Sequence, residues 1–186
     1  MILIYISKEN WFWKDKTYPS ISWRKVSYMP RGNAKIKRMP LVPDAKFDSA
    51  IISKFVNYIM LNGKKTVALR IVYSALEQAA TKLSADPMDI FDQVIKNVGP
   101  ILEVKSRRIG GANYQVPMEV SRERKVTLAM RWIITAARDS KGKPMADKLA
   151  SELISAYNGE GSAMKKKEET HKMAEANKAF AHFARF

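Results

Sequence analysis

Residues 104–117, VKSRRIGGANYQVP, set two adjacent arginines, Arg107 and Arg108, just before the pair Gly110-Gly111, with Tyr114 three residues beyond it. Guanidinium forks match phosphate oxygens two at a time, and an aromatic ring stacks on an unpaired base. Cations recur elsewhere in short groups: Arg31, Lys35, Lys37 and Arg38; Lys64 and Lys65; Lys105; Arg122, Arg124, Lys125 and Arg131; Lys141 and Lys143. Such groups neutralise a polyanion rather than make or break bonds.

Bond-making chemistry has thin support. Asn62-Gly63-Lys64-Lys65-Thr66 lacks the upstream glycine of a phosphate-binding loop, has the wrong spacing, and follows a helical pattern instead of a strand. It reads as a helix–helix turn with exposed lysines. The two histidines, His171 and His182, are too far apart for an HExxH or an i, i+4 ligand pair. His171 is expected on a solvated helix face, and His182 is expected to pack beside Phe180 and Phe183. No GxSxG elbow occurs. The absence of cysteine excludes thiolate catalysis, disulfides and cysteine-ligated metal centres, and it fits a reducing cytosol. The acids at 119–125 and 165–169 interleave with basic residues, as on solvated helix faces. No enzyme activity, cofactor, metal or small-molecule substrate is expected.

Charge is the stronger signal. Lys and Arg total 33 against 18 Asp and Glu, a formal net charge of +15 and a pI near 10.0. That imbalance selects polyanionic partners. A membrane surface is one, but no apolar run approaches the roughly 18 residues of a spanning helix. The opening MILIYI is too short for a secretory segment and has no basic flank before it. Nucleic acid leads, and no membrane partner is expected.

The elements that must position these cations follow from periodicity and breakers. Residues 1–28 hold three of the four tryptophans (Trp11, Trp13, Trp23) without any period. They are expected to be an extension upstream of a true start at Met29, the competing reading being a poorly ordered tail. Residues 29–47 form a basic arm kept extended by Pro30, Pro40 and Pro43. Residues 48–186 form the helical domain.

In that domain Asp48 or Ser49 is expected to cap a first helix with Ile52, Phe55, Val56 and Ile59 on one face, ended by Asn62-Gly63. A second helix carries Val67, Ile71, Val72, Ala75, Leu76 and Ala79. Asp86-Pro87 opens a third, with Ile90, Phe91, Val94 and Ile95 inward, stopped by Gly99-Pro100. Ser121 caps a fourth, with Val126, Ala129, Met130, Ile133 and Ala137 on one side. A fifth follows Pro144, and a last one spans about 162–182. Between the third and fourth, residues 101–119 read as a β-hairpin turning at Gly110-Gly111. The expected fold is therefore mainly α: a six-helix single domain with an inserted β-hairpin, or ribbon arm, and an extended basic N-terminal arm. A lone hairpin is marginal in water, so this one is expected to pack on a partner.

From about Met29 onward, VKSRRIGGANYQVPMEV, the Asn-Gly-Lys-Lys turn at 62–65, RWIITAAR at 131–138 and THKMAEANKAFAHF at 170–183 resemble the bacterial and organellar form of ribosomal protein seven of the small subunit. The resemblance implies a structural constituent of a cytoplasmic or organellar small subunit. It implies a primary binder of the 3′ major domain of small-subunit rRNA that nucleates head assembly near the exit site. Implied partners are that rRNA, exit-site tRNA, mRNA and small-subunit proteins nine and eleven. Carried over, Arg31, Lys35, Lys37, Arg38, Lys64, Lys65, Arg124, Arg131, Lys141 and Lys143 are rRNA contacts, some fourth-helix cations being left to solvent. Lys105, Arg107, Arg108, Gly110, Gly111 and Tyr114 form the ribbon that meets tRNA, mRNA or rRNA. The rivals are a DNA-bending ribbon protein, for which Ile109 is the only wedge at the tip, and an RNA-modifying enzyme.

Overall fold

The computed structural model describes residues 41–185. The expectations for residues 1–28, and for Arg31, Lys35, Lys37 and Arg38 in the arm, lie outside the described residues. The elements are α1 (Ala50–Ile59), α2 (Lys65–Leu83), α3 (Pro87–Val98), β1 (Leu102–Ile109), β2 (Ala112–Glu119), α4 (Arg122–Asp139), α5 (Met145–Tyr157), α6 (Ser162–Ala176) and a C-terminal 3-10 helix (Lys178–Arg185). Among the described residues the chain is mainly helical, with one hairpin between α3 and α4, as expected.

Local chemistry sets the boundaries. Asp86 accepts the Met88 N–H at 3.0 Å, and Pro87 occupies the first turn, where its missing N–H costs nothing. The start of α1 differs from expectation, because neither Asp48 nor Ser49 gives a side-chain cap. Asp44 organises this region instead. Its carboxylate accepts the N–H groups of Lys46 (3.2 Å) and Phe47 (3.4 Å) and the Tyr73 hydroxyl (2.8 Å to Oδ2). An aspartate closes such a turn by replacing backbone bonds with its own oxygens. Asp48 then takes a left-handed φ of 46°. The last residues of the basic stretch, 44–47, are therefore a turn docked on α2, where Lys46 pairs with Glu77 and Phe47 meets Tyr73 edge-on at 5.8 Å.

The helical stripes build one core. Phe55 of α1 and Phe91 of α3 meet at 5.1 Å, and Leu76, Met130, Ile133, Leu149 and Leu153 close round them, all fully buried. Helix α5 packs against α2, α3, α4 and α6. Val67 departs from its stripe and stays 50% exposed, on the rim of a surface hollow. Helix α6 stops at Ala176, short of the expected 182: Asn177, whose side chain donates to the Met173 carbonyl (2.8 Å), takes φ −96° and ψ 13°, and a 3-10 helix follows.

The ribbon runs antiparallel from Leu102↔Glu119 to Ile109↔Ala112. Gly110 and Gly111 both have positive φ, 57° and 91°, as a two-residue turn of the I′ kind demands. The hairpin does not stand free of the protein. Val116 and Pro117 are buried, and its strands pack on α6 and on the C-terminal 3-10 helix. Part of the partner that a marginal hairpin needs is thus internal.

Candidate nucleic-acid interface

Helix α4 has a basic group at each end. At its C-terminal end, Arg138 donates to the Ile59 carbonyl (3.2 Å), one of the unpaired carbonyls at the end of α1. Two turns earlier on the same face, Arg131 lies over the Tyr58 ring at 5.5 Å. The α1–α2 turn brings Lys64 and Lys65 to this end, both exposed, through a bend that puts Asn62 and Gly63 at positive φ. Lys64 and Arg138 line a hollow of about 330 Å³ with Leu61, Val67 and Met145. Met145 begins α5, and the loop between α4 and it carries Lys141 and Lys143, also exposed. Lys64, Lys65, Lys141 and Lys143, expected as separate contacts, are thus gathered towards the C-terminal end of α4, with Arg131 two turns back along it.

The ribbon lies at the other end of α4. Glu103, 8% exposed at its base, pairs with Lys105 at 2.8 Å and with Arg124 of the first α4 turn at 3.2 Å. Burial alone would raise the Glu103 carboxyl, but the hydrogen bonds and charges of Lys105 and Arg124 outweigh it and hold the group below the usual carboxylate range. Lys105 and Arg124 are therefore partly committed to fixing the ribbon on the body. Lys125 lies against Gly99 at the end of α3. Further out, Arg108 is exposed beside the turn, and Arg107 pairs in register with Tyr114. Tyr114 is not an open stacking ring: Phe180 and Phe183 pack on it at 5.4 and 5.2 Å.

Sequence reasoning missed two residues of this site. Arg138 was signalled only by its spacing of two helical turns from Arg131, which puts both on one face. Glu103 was signalled by being a lone acid in a basic strand. Among the described residues, no group of His, Cys, Asp and Glu side chains is arranged to hold a metal ion, and no helix is long and apolar enough to cross a membrane.

A family model described as ribosomal protein S7p/S5e matches residues 30–178, which span all six helices and the ribbon. The chain belongs to the ribosomal protein S7p/S5e family. It is 52% identical over 157 residues to the small ribosomal subunit protein uS7 of Chloroflexus aggregans, an alignment covering 84% of this chain and 99% of the relative. The uS7 proteins of Thermotoga petrophila and Thermosipho africanus are 51% and 50% identical over 155 residues, 83% of this chain and 99% of theirs. The chain is a ribosomal protein, not an enzyme.

One further tie fixes the ribbon base in this S7p/S5e-family chain. The Ile101 N–H donates to His171 Nε2 at 3.1 Å, and Lys167, one turn earlier on α6, donates to the Asn97 carbonyl at 2.6 Å. His171 is thus half-buried and bonded, not on a solvated face. His182, as expected, lies against Phe183, at 3.9 Å between rings. Burial, and then the Lys167 ammonium, push the His171 imidazole below its ordinary value. Between the ordinary value of about 6.5 and the lowered folded one, the unfolded chain holds the extra proton. The stability this tie contributes is full above that window and is lost as pH falls through it. Protection of the Ile101 amide, relative to its intrinsic exchange rate, is expected to be lower at an acid pH well below the ordinary histidine value of about 6.5 than at a pH above it. His171→Gln, which keeps an acceptor but cannot titrate, is expected to abolish that step. Equal protection at both pH values in the parent chain would rule the tie out.

Proposed function

We propose that this small-subunit ribosomal protein is a positional clamp for the 3′ major domain of small-subunit rRNA, nucleating assembly of the subunit's head. The patch formed by Lys64, Lys65, Arg131, Arg138, Lys141 and Lys143 grips rRNA phosphates, together with the cationic arm upstream of residue 44. Arg107 and Arg108 on the ribbon serve exit-site tRNA and mRNA, and small-subunit proteins nine and eleven lie alongside. The observation that carries this reading is the placement of the two basic groups at opposite ends of one packed helix. From Arg124 to Arg138 the rise along α4 is about 21 Å. A rigid spacer of that length holds two RNA segments in one geometry, so shape supplies specificity while phosphate contacts set register.

Competition binding tests it. The chain is expected to prefer a small-subunit rRNA fragment over duplex DNA of equal length, and to co-sediment with small subunits. Arg107→Ala with Arg108→Ala is expected to leave rRNA affinity within about twofold while weakening tRNA or mRNA contacts in the assembled particle. Preference for duplex DNA would overturn the reading in favour of a DNA-bending ribbon. An rRNA loss equal to that from Lys64→Ala with Lys65→Ala would overturn the division of labour.

A further inference from the structure

The polar ties of the ribbon act at its base, where its strands also lie beside α6. Glu103 with Arg124, and Ile101 with His171, act at the first residues of β1 or just before it. A two-stranded ribbon held only there would pivot. Tyr114 sits four residues beyond Met118, the register partner of Glu103, and two residues short of the closing pair Ile109↔Ala112. A contact at Tyr114 therefore acts about 13 Å out along the ribbon, close to its tip.

We propose that Phe180 and Phe183, on the C-terminal 3-10 helix, are positioning residues that set the direction of the ribbon by clamping Tyr114. Phe180 meets the Tyr114 ring at 5.4 Å with a 55° tilt, and Phe183 meets it at 5.2 Å with a 45° tilt. The two phenylalanine rings are nearly parallel, 12° apart at 6.4 Å. A 3-10 helix has three residues per turn, so residues i and i+3 eclipse and both rings face the same way. Continuing α6 as an α-helix would rotate the second ring away by about 60°. The change of helix type at Asn177 thus brings the two rings into closer alignment on one face. Behind them His182 packs on Phe183 at 3.9 Å, and its Nδ1 lies 2.9 Å from the Ala179 carbonyl. None of the three clamp residues belongs to the hydrophobic core, so the clamp can be removed without opening the body.

The inference deepens the proposed role of the ribbon: Arg107 stands opposite Tyr114, so the clamp fixes where the ribbon's arginines are presented. Its test needs no RNA, which keeps its failure separate from a failure of the RNA-binding reading. The chain has no cysteine, so Ala112→Cys and Thr135→Cys, both at exposed positions, take spin labels at the ribbon tip and on α4 of the full chain. Pulsed electron spin resonance is expected to give a narrow tip-to-body distance distribution. Its width is expected to roughly double in Phe180→Ala with Phe183→Ala, as for a ribbon held only at its base. Tyr114→Ala, cutting the clamp from the other side, is expected to do the same, and Phe180→Tyr with Phe183→Tyr to restore the narrow distribution. The melting temperature of the body stays unchanged throughout. A distribution equally narrow without the rings, or equally broad with them, would overturn the proposal.

Discussion

Alanine at Lys64, Lys65, Lys141 and Lys143 together is expected to lower affinity for a small-subunit rRNA fragment by roughly two to three orders of magnitude at about 0.1 M salt. Each phosphate neutralised contributes about −0.7 to −0.9 to the slope of log affinity against log salt, so losing four flattens it by about 3. The four lysines lie on or beside the α1–α2 and α4–α5 loops, and among the described residues none of them pairs with a carboxylate. All four side chains are exposed, and surface changes of this kind alter stability by only about 0.5 kcal/mol each. Filter binding across a salt series, with the melting temperature as control, reads both numbers. An unchanged slope would remove this patch from the interface.

Phe91→Ala is expected to act in the opposite way. The ring is fully buried and packs on Phe55, so its loss leaves a cavity and removes an aromatic contact at the junction of α1 and α3. Such truncations cost about 3–5 kcal/mol, which for a domain of this size lowers the melting temperature by about 10 °C. Calorimetry measures the shift. At temperatures where the variant remains folded, its salt slope for rRNA is expected to match the parent's, because no phosphate contact is lost. The two variants together separate frame from grip: one changes slope without stability, the other stability without slope. A changed slope in Phe91→Ala would mean that core packing and contact geometry are not independent.

The frame was legible because its signals are local. Asp86-Pro87 announces a helix start, Gly110-Gly111 announces a two-residue turn, and the period of Ile90, Phe91, Val94 and Ile95 announces a buried face. The misread points are those where a distant side chain decides. Nothing near Asp44 indicates that it would close the turn before α1 and bond Tyr73, 29 positions away. Nothing near Tyr114 indicates that residues 180 and 183 would cover it. The cations were legible as a set but not as an arrangement. Lys64 and Arg138 come to line one hollow only through the packing of α1, α2, α4 and α5, whereas Arg124 turns towards a buried acid whose need for a partner appears only once the ribbon is placed.

The Asp44 turn has a consequence for how long the protein stays on RNA. Because Asp44 is bonded to Tyr73 in α2, residue 44 is held at one fixed point on the folded body. On the proposed reading, the cationic arm upstream is then a second binding element tethered at a defined origin. Once the patch is seated, each contact of the arm becomes an intramolecular event at an effective concentration in the millimolar range. Departure requires both elements to let go together, so contacts that are individually weak yield a long residence time. On that reading, the small carboxylate turn makes the basic segment the second arm of a chelate.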